Sequence, residues 1–532
     1  MEHAICNLKA IFMKKLSALW ILSLLFFVTP AKAQDNAAII AKTVDYLKEV
    51  QQTWQIPGMA FAIVKDGKMI YSDGFGVKEK GKDDAVDSGT LFQIGSVSKS
   101  FTAAVMASLV AEGRLSWDDT VKNILPDFRM YDRWVEENLQ VKDIMTHHTG
   151  LQGQLGTYIP NMGYERDHIY RMLGLLKPKY SLRGSYEYNN ITFIIASKII
   201  EKLTGKSWEE NVRERIFTPL GMNDSRVTGE EFAAFSNVAT PHEFVYKKGA
   251  ALTDSTWVDS VAVNPLFGSE QALHWLSVVG PAGSISSTAE DMAKYLLFHL
   301  NKGLVDGKQV ISREQMEYVR KGHTITSQDS ARITLYGHCW FVEQNSRYRL
   351  YFHTGTTWGF TTLAAFVPEH DLGFVILVNS EAPAYPRYAI MRRMIDLYKG
   401  FPDKDYNAMY YDEWLESSRK GQKAKDKKQA ERELKPAPQL SSIVGEYNKD
   451  ALFGGAVVAL QKGVPYITIG PKGWKAFLEH DNGNVYTFRM DGNTFEVEFV
   501  FDGEAAAAGA KCIGLDVNFG YTENFGLWPK IK

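Results

Sequence analysis

The segment that most constrains this chain is Leu91-Phe-Gln-Ile-Gly-Ser-Val-Ser-Lys99, where a short apolar run gives way at once to a helical pattern. Phe101, Val105 and Leu109 recur at i, i+4 and i+8, with Ala103, Ala104 and Ala107 between them, as in a buried helix. If that helix begins where the run ends, Ser96 and Lys99 share one face a single turn apart, and the amine reaches the hydroxyl. A serine hydroxyl is a poor nucleophile at neutral pH unless an adjacent base takes its proton, and a desolvated lysine is one side chain able to do so. The helix N-terminus adds partial positive charge that favours a developing anion.

Spacing alone does not decide the matter. Ser417-Ser-Arg-Lys420 repeats it within a run of charges that has no apolar helix behind it, and a serine at a helix start also serves as an N-cap. Two later segments add weight. Tyr188-Asn189-Asn190, the only Y-x-N in the chain, stands just before the apolar run Phe193-Ile194-Ile195-Ala196. His353-Thr354-Gly355 leads through Thr356-Thr-Trp-Gly-Phe360 into the strand-like Leu363-Ala-Ala-Phe-Val367.

Taken in this order, each at an element boundary, the three motifs resemble those of the serine β-lactamase-like and penicillin-binding-protein family, which includes class C β-lactamases, DD-peptidases and related esterases and aminopeptidases. The resemblance continues through Ile144-Met-Thr-His-His-Thr-Gly-Leu151, through Ile199-Ile-Glu-Lys-Leu-Thr-Gly205 and through Ile216-Phe-Thr-Pro-Leu-Gly-Met222. It extends to Gly280-Pro-Ala-Gly-Ser-Ile-Ser-Ser-Thr-Ala-Glu-Asp291, where Ser287 and Glu290 are also spaced as a helix capping box. In all it spans about residues 40 to 400.

The resemblance implies the roles. Ser96 is the expected nucleophile, with Lys99 and Tyr188 removing and relaying its proton. Asn190 is expected to orient the substrate and bond Lys99, and the backbone N–H groups of Ser96 and Thr356 to form the oxyanion hole. His353 is expected to assist proton transfer to the leaving group or to shape the pocket, and Gly355 to allow close approach of a substrate backbone. One departure matters. β-Lactamases carry K-T-G where this chain has His353-Thr-Gly355, and a histidine is mostly neutral at pH 7 where a lysine is a fixed cation suited to a carboxylate. The match therefore argues for the fold more than for β-lactam hydrolysis, and resembles the D-aminopeptidase, esterase and mitochondrial-type peptidase branches. A lysine or arginine elsewhere remains open as a carboxylate anchor.

No metal or other cofactor is expected. The 12 histidines include no H-E-x-x-H, and His147 and His148, being adjacent, cannot share a helix face. The net charge of −2 offers no electrostatic case for nucleic acid, and the densest basic cluster, Arg419 to Lys435, is interleaved with acids and reads as a solvated linker or helix. The expected partner is a small-molecule or peptide substrate; oligomeric state is left open.

At 532 residues the chain exceeds the usual size of a single core. Lys14-Lys15, the apolar stretch Leu16 to Val28 and Ala31-Lys-Ala33 follow the order of a secretory signal, so residues 1–33 are expected to be removed, leaving a periplasmic or secreted protein with no membrane anchor. Of the 3 cysteines, Cys6 leaves with that leader, and Cys339 and Cys512 are expected as free buried thiols rather than a bridge.

Residues 34–400 read as the hydrolase domain. Ala37 to Gln51 has helical spacing, Met59 to Tyr71 reads as a hairpin about Asp66-Gly67, and Leu363 to Val367 with Phe374 to Val378 reads as a second. Helical stretches at 190–203, 208–216, 288–300 and 389–399 lie between or after them. The fold class is mixed α/β of the α+β kind, with one antiparallel sheet flanked by helices and a helical subdomain. A charged linker is expected over 401–438. Residues 439–532 carry strand signals with turns at Asp481-Asn-Gly483 and Asp491-Gly492, and resemble a small antiparallel, lipocalin-like barrel. Acyl-enzyme chemistry leaves three outcomes open: hydrolysis of an ester or amide, transfer of the acyl group to an alcohol or amine, or a sensor that stays acylated.

Overall fold

A computed structural model of the chain describes residues 36–246, 258–266, 268–381, 384–450, 454–490, 493–503, 510–518 and 526–532. The expected signal segment and the Asp491-Gly492 turn lie outside the described residues.

Helix α1 (Asn36–Thr53) is followed by β1 (Gly58–Lys65) and β2 (Lys68–Gly76), joined at Asp66 and Gly67, whose φ values of 50° and 74° are those of a tight hairpin turn. The long middle of the chain is helical, with α2 (Ser98–Ala111), α3 (Phe193–Thr204) and α4 (Ala289–Leu300) as its main members. Six strands then follow: β3 (Thr324–Gln328), β4 (Arg332–Tyr336), β5 (Phe341–Asn345), β6 (Arg349–Thr357), β7 (Phe360–Val367) and β8 (Leu372–Val378). All eight strands form one antiparallel sheet in the order β2-β1-β8-β7-β6-β5-β4-β3. The two ends of the domain thus meet at β1 and β8, with Phe61 opposite Ile376.

Strands β1, β7 and β8 are buried along almost their whole length, which explains why they read as continuous apolar runs rather than as alternating ones. Ala60, Ala62, Phe366 and Leu377 face a core shared with α2 and α4. Met59, Phe61, Phe374 and Ile376 face a second core built with α1 and with α5 (Tyr385–Lys399). The result is a sheet between two helical layers. The expected stretch at 208–216 is a short α-helix, Trp208–Val212, continued by a π-turn over Arg213–Phe217. The cap of α4 also differs from expectation. Thr288, not Ser287, is the N-cap and accepts from the Asp291 N–H, while Glu290 accepts from the Ser88 hydroxyl.

The segment 401–438 is not a linker throughout. It holds α6 (Tyr406–Ala430), whose first half packs on the domain because Tyr410, Tyr411, Trp414 and Leu415 lie on neighbouring helical positions. Trp54 donates to Asn407 Oδ1 at 2.9 Å beneath it. Beyond α6, strands β9 (Gly445–Asp450), β10 (Gly454–Gln461), β11 (Val464–Ile469), β12 (Trp474–Asn482), β13 (Val485–Met490), β14 (Asn493–Phe501), β15 (Cys512–Asn518) and β16 (Trp528–Pro529) pair in sequence order. A bridge between Tyr447 and Lys530 nearly closes them into a barrel. Alternate residues such as Val458, Ile467, Leu478, Phe488 and Val497 fill its interior. Cys339 and Cys512 are both buried and free.

Candidate active site

The Ser96 turn exists because two backbones come unusually close. Gly95 adopts φ 51°, and a Cβ there would lie 2.7 Å from the Thr356 nitrogen. A Cβ on Gly355 would lie 1.8 Å from the Ile94 carbonyl oxygen and 3.2 Å from the Ser96 nitrogen. Only glycine at both positions lets β6 run against the turn, and this contact brings the Ser96 and Thr356 amides together. Gly355 therefore admits the protein's own Ser96 turn rather than the substrate backbone suggested by its sequence context.

Residues Gly95–Val97 form a 3₁₀ turn that feeds directly into α2, and Ser96 makes no capping bond. Its hydroxyl is 3.2 Å from Lys99 Nζ, and it is also bonded by the Tyr188 hydroxyl. Lys99 is fully buried, and Nζ donates to Asn190 Oδ1 at 2.7 Å and to the Ala282 carbonyl at 3.0 Å. That carbonyl is fixed from below, because Thr102 donates to the neighbouring Pro281 carbonyl and Trp208 Nε1 donates to Thr102. Asn190 is oriented in turn by donation from Nδ2 to Gln154 Oε1 at 3.0 Å.

Burial lowers the Lys99 pKa to about 7, and among the described residues no carboxylate pairs with it. A neutral amine has two N–H bonds and one lone pair. Both N–H bonds are taken by carbonyl oxygens, which aims the lone pair at the Ser96 hydroxyl. Burial also pushes the Tyr188 phenol well up, so it stays protonated beside Ser96. Its ring lies 4.7 Å from Lys99 Nζ.

His353 sits at the back of this group. It is buried, and desolvation and the neighbouring Lys99 lower its pKa to about 3, so the ring is neutral. Nδ1 lies 2.7 Å from the Thr354 carbonyl and so carries the proton, leaving Nε2 to accept from the Tyr336 hydroxyl at 3.0 Å. With both ring nitrogens committed, His353 braces the start of β6 and shapes the wall, and no nitrogen is left for proton transfer to a leaving group. A second buried histidine, His147, packs 4.3 Å from the Tyr188 ring and accepts from the Asn189 N–H, holding the Tyr188–Asn190 segment in place. Tyr336, Ala282 and His147 were not singled out for these roles in the sequence; the Thr-His-His-Thr and Gly-Pro-Ala-Gly segments were its only signal for two of them.

These groups open into a cleft of about 550 Å³ lined by Ser96, Tyr188, Asn190, His353 and Thr356, with Gln154, Tyr158, Trp275 and Trp358 as further walls. Asn493, at the start of β14, completes one side, so the barrel contributes to the cleft. It is docked there by the Tyr158 and Phe495 rings, 5.1 Å apart, and by His274 and Trp474, 5.5 Å apart. Among the described residues no cluster of side chains suits a metal ion.

Residues 45–397 match the family model described as Beta-lactamase. The chain belongs to the beta-lactamase family. As a member it is similar to unguisins hydrolase ungD' of Aspergillus campestris, with 29% identity over 71% of this chain and 68% of the relative. It is also similar to penicillin-binding protein 4 of Amycolatopsis lactamdurans, at 28% identity over 61% of this chain and 81% of that one. In fold it resembles the octameric penicillin-binding protein homologue from Pyrococcus abyssi, with a TM-score of 0.59, 21% identity, and coverage of 91% of this chain and 98% of the other. This beta-lactamase-family membership supports a serine hydrolase in general terms. Among the described residues no helix is long and apolar enough to cross a membrane.

Proposed function

We propose that this protein is a secreted serine hydrolase that cleaves a small ester or amide, including peptide or D-amino-acid substrates, through an acyl-enzyme on Ser96. The observation that carries the reading is the Lys99 amine, desolvated to a pKa of about 7 with its two N–H bonds held by Asn190 and Ala282. Lys99 takes the Ser96 proton as the oxygen attacks the acyl carbon, and the Tyr188 hydroxyl passes a proton onward to the departing alcohol or amine. The amides of Ser96 and Thr356 receive the oxyanion. Water then attacks the acyl-enzyme and frees Ser96. Secretion is supported by the pattern of basic, apolar and small residues over 14–33.

Intact mass followed over time against a panel of esters, D-amino-acid amides and β-lactams tests this directly. The expected result is a transient acyl adduct that is absent from Ser96→Ala, with steady release of product. A stable adduct that never turns over would replace the hydrolase by a sensor. Transfer to an added alcohol or amine in preference to water would replace it by an acyltransferase.

A further inference from the structure

The cleft has a marked charge asymmetry. Among its described lining residues there is no lysine or arginine, and the one carboxylate is Glu381, exposed at the mouth just beyond β8. Lys99 lies beneath the floor, enclosed by protein on every side. Arg387, the buried arginine that bonds Thr356, is turned to the backbone carbonyls of Gly355 and Thr362 and to the Thr356 hydroxyl. His353 is neutral with both nitrogens engaged. The anchor that a carboxylate-bearing substrate needs is therefore missing from the described cleft. The rest of the lining is uncharged polar side chains and aromatic rings: Trp275 and Trp358 meet edge to face at 5.0 Å, with Tyr158 and Phe341 on the other walls.

We propose that the cleft selects substrates carrying a positive charge, an amine or quaternary ammonium, with Glu381 as counter-charge and the Trp275 and Trp358 rings as the surface on which the cation rests. This names the substrate class of the serine hydrolase proposed above and rests on that reading. A cation over an aromatic face is attracted by the ring quadrupole, most strongly over tryptophan, and a carboxylate at the rim adds direct attraction. Glu381 has no cationic partner among the described residues, and the charged group that acts on it is a second acid, Glu243. Although the residue reaches solvent, the cleft wall partly dehydrates its carboxyl, and this together with the like charge raises it above the usual range. A bound cation would relieve the repulsion.

Three p-nitrophenyl esters of one length, ending in trimethylammonium, tert-butyl or carboxylate, supply the test. The wild-type kcat/KM should rank ammonium above tert-butyl above carboxylate. In Glu381→Gln the ammonium-to-tert-butyl ratio should fall roughly fivefold to tenfold, and in Glu381→Lys the preference should turn toward the carboxylate ester. A wild-type preference for the carboxylate ester, or a ratio that Glu381→Gln leaves in place, overturns the proposal. Calorimetric titration of Ser96→Ala with butyltrimethylammonium and with pentanoate measures the same preference without any chemistry. Tighter binding of the cation there upholds the cation site even if no ester is hydrolysed, whereas equal or weaker binding overturns it.

Discussion

The two halves of the molecule bury different things. Every buried polar or charged side chain among the described residues, tyrosine, tryptophan and cysteine aside, falls at or before Asn407, and the barrel interior has none. The barrel's strands pair in sequence order, so apart from the closing contact between Tyr447 and Lys530 each pairing joins strands adjacent in sequence. The hydrolase domain instead joins β1 to β8 across its whole length and encloses Lys99, His147 and His353 in one group. Burying bases is costly unless they shed their charge. Here all three have their pKa values lowered by desolvation, and the two histidines are lowered further by Lys99. The polar interior lies beneath the cleft that the proposed chemistry would use, and the apolar barrel supplies Asn493 to that cleft's wall.

The comparison breaks most directly at Ser96. Ser96→Ala should lower turnover by roughly three orders of magnitude or more, with no loss of thermal stability, because the hydroxyl is half-exposed to the cleft and caps nothing. Fluorophosphonate labelling that persists in Ser96→Ala would move the nucleophile elsewhere. Lys99 and Tyr188 come next. Lys99→Ala and Tyr188→Phe should each cost about a hundredfold, and the double variant far less than the product, since both serve one proton path. Additive losses would separate them. The pH profile carries a sign: the base form of Lys99 exists above its pKa of about 7, so kcat/KM should rise through that pH and fall about tenfold per unit below it. A profile flat from pH 5 to 9 would remove Lys99 as the base.

A pair of identical substitutions sharpens the contrast. Gly355→Ala forces a Cβ to 1.8 Å from the Ile94 carbonyl, so β6 must retreat from the Ser96 turn and the two amides must separate. Activity should drop by roughly tenfold or more and the melting temperature by several degrees. Gly463→Ala, in the β10–β11 turn, meets nothing within 4 Å and bears only the strain of its φ of 81°. It should cost about 1 kcal/mol of stability and leave turnover in place. Equal effects of the two on kcat would mean that close packing at the turn does not set the oxyanion geometry.

How much of this was legible in the sequence depends on where each group gets its meaning. Ser96, Lys99, Tyr188 and Asn190 stand at element boundaries in short motifs, and their spacing alone brings Ser96 to Lys99. The sheet's inner strands were legible as apolar runs. Strands β3, β4 and β5 were not, because Thr324–Gln328 at the sheet's edge and Arg332–Tyr336 beside it are half-exposed segments with weak alternation. The neutral state of His353 was within reach of the sequence, but its confinement was not, since Tyr336 meets it only through the pairing of β4, β5 and β6. The first half of α6 was hidden by the charges of its second half. The barrel's contribution to the cleft depended on how β14 docks, which no local pattern encodes.

That docking yields the smallest expected effect. Trp474 packs edge to face on His274, outside the cleft and away from the reacting groups, and helps hold the β14 end of the barrel beside Tyr158. Trp474→Ala should loosen the barrel without touching Ser96 or Lys99. For substrates long enough to reach Asn493, KM should rise roughly two- to fivefold, an amount fitting the loss of one aromatic contact at a half-exposed site. Fluorophosphonate labelling of Ser96 should keep its wild-type rate, because so small a probe needs only the floor of the cleft. A matched fall in labelling rate would mean that the barrel supports the catalytic turn itself, and the division between a polar working half and an apolar wall would have to be redrawn.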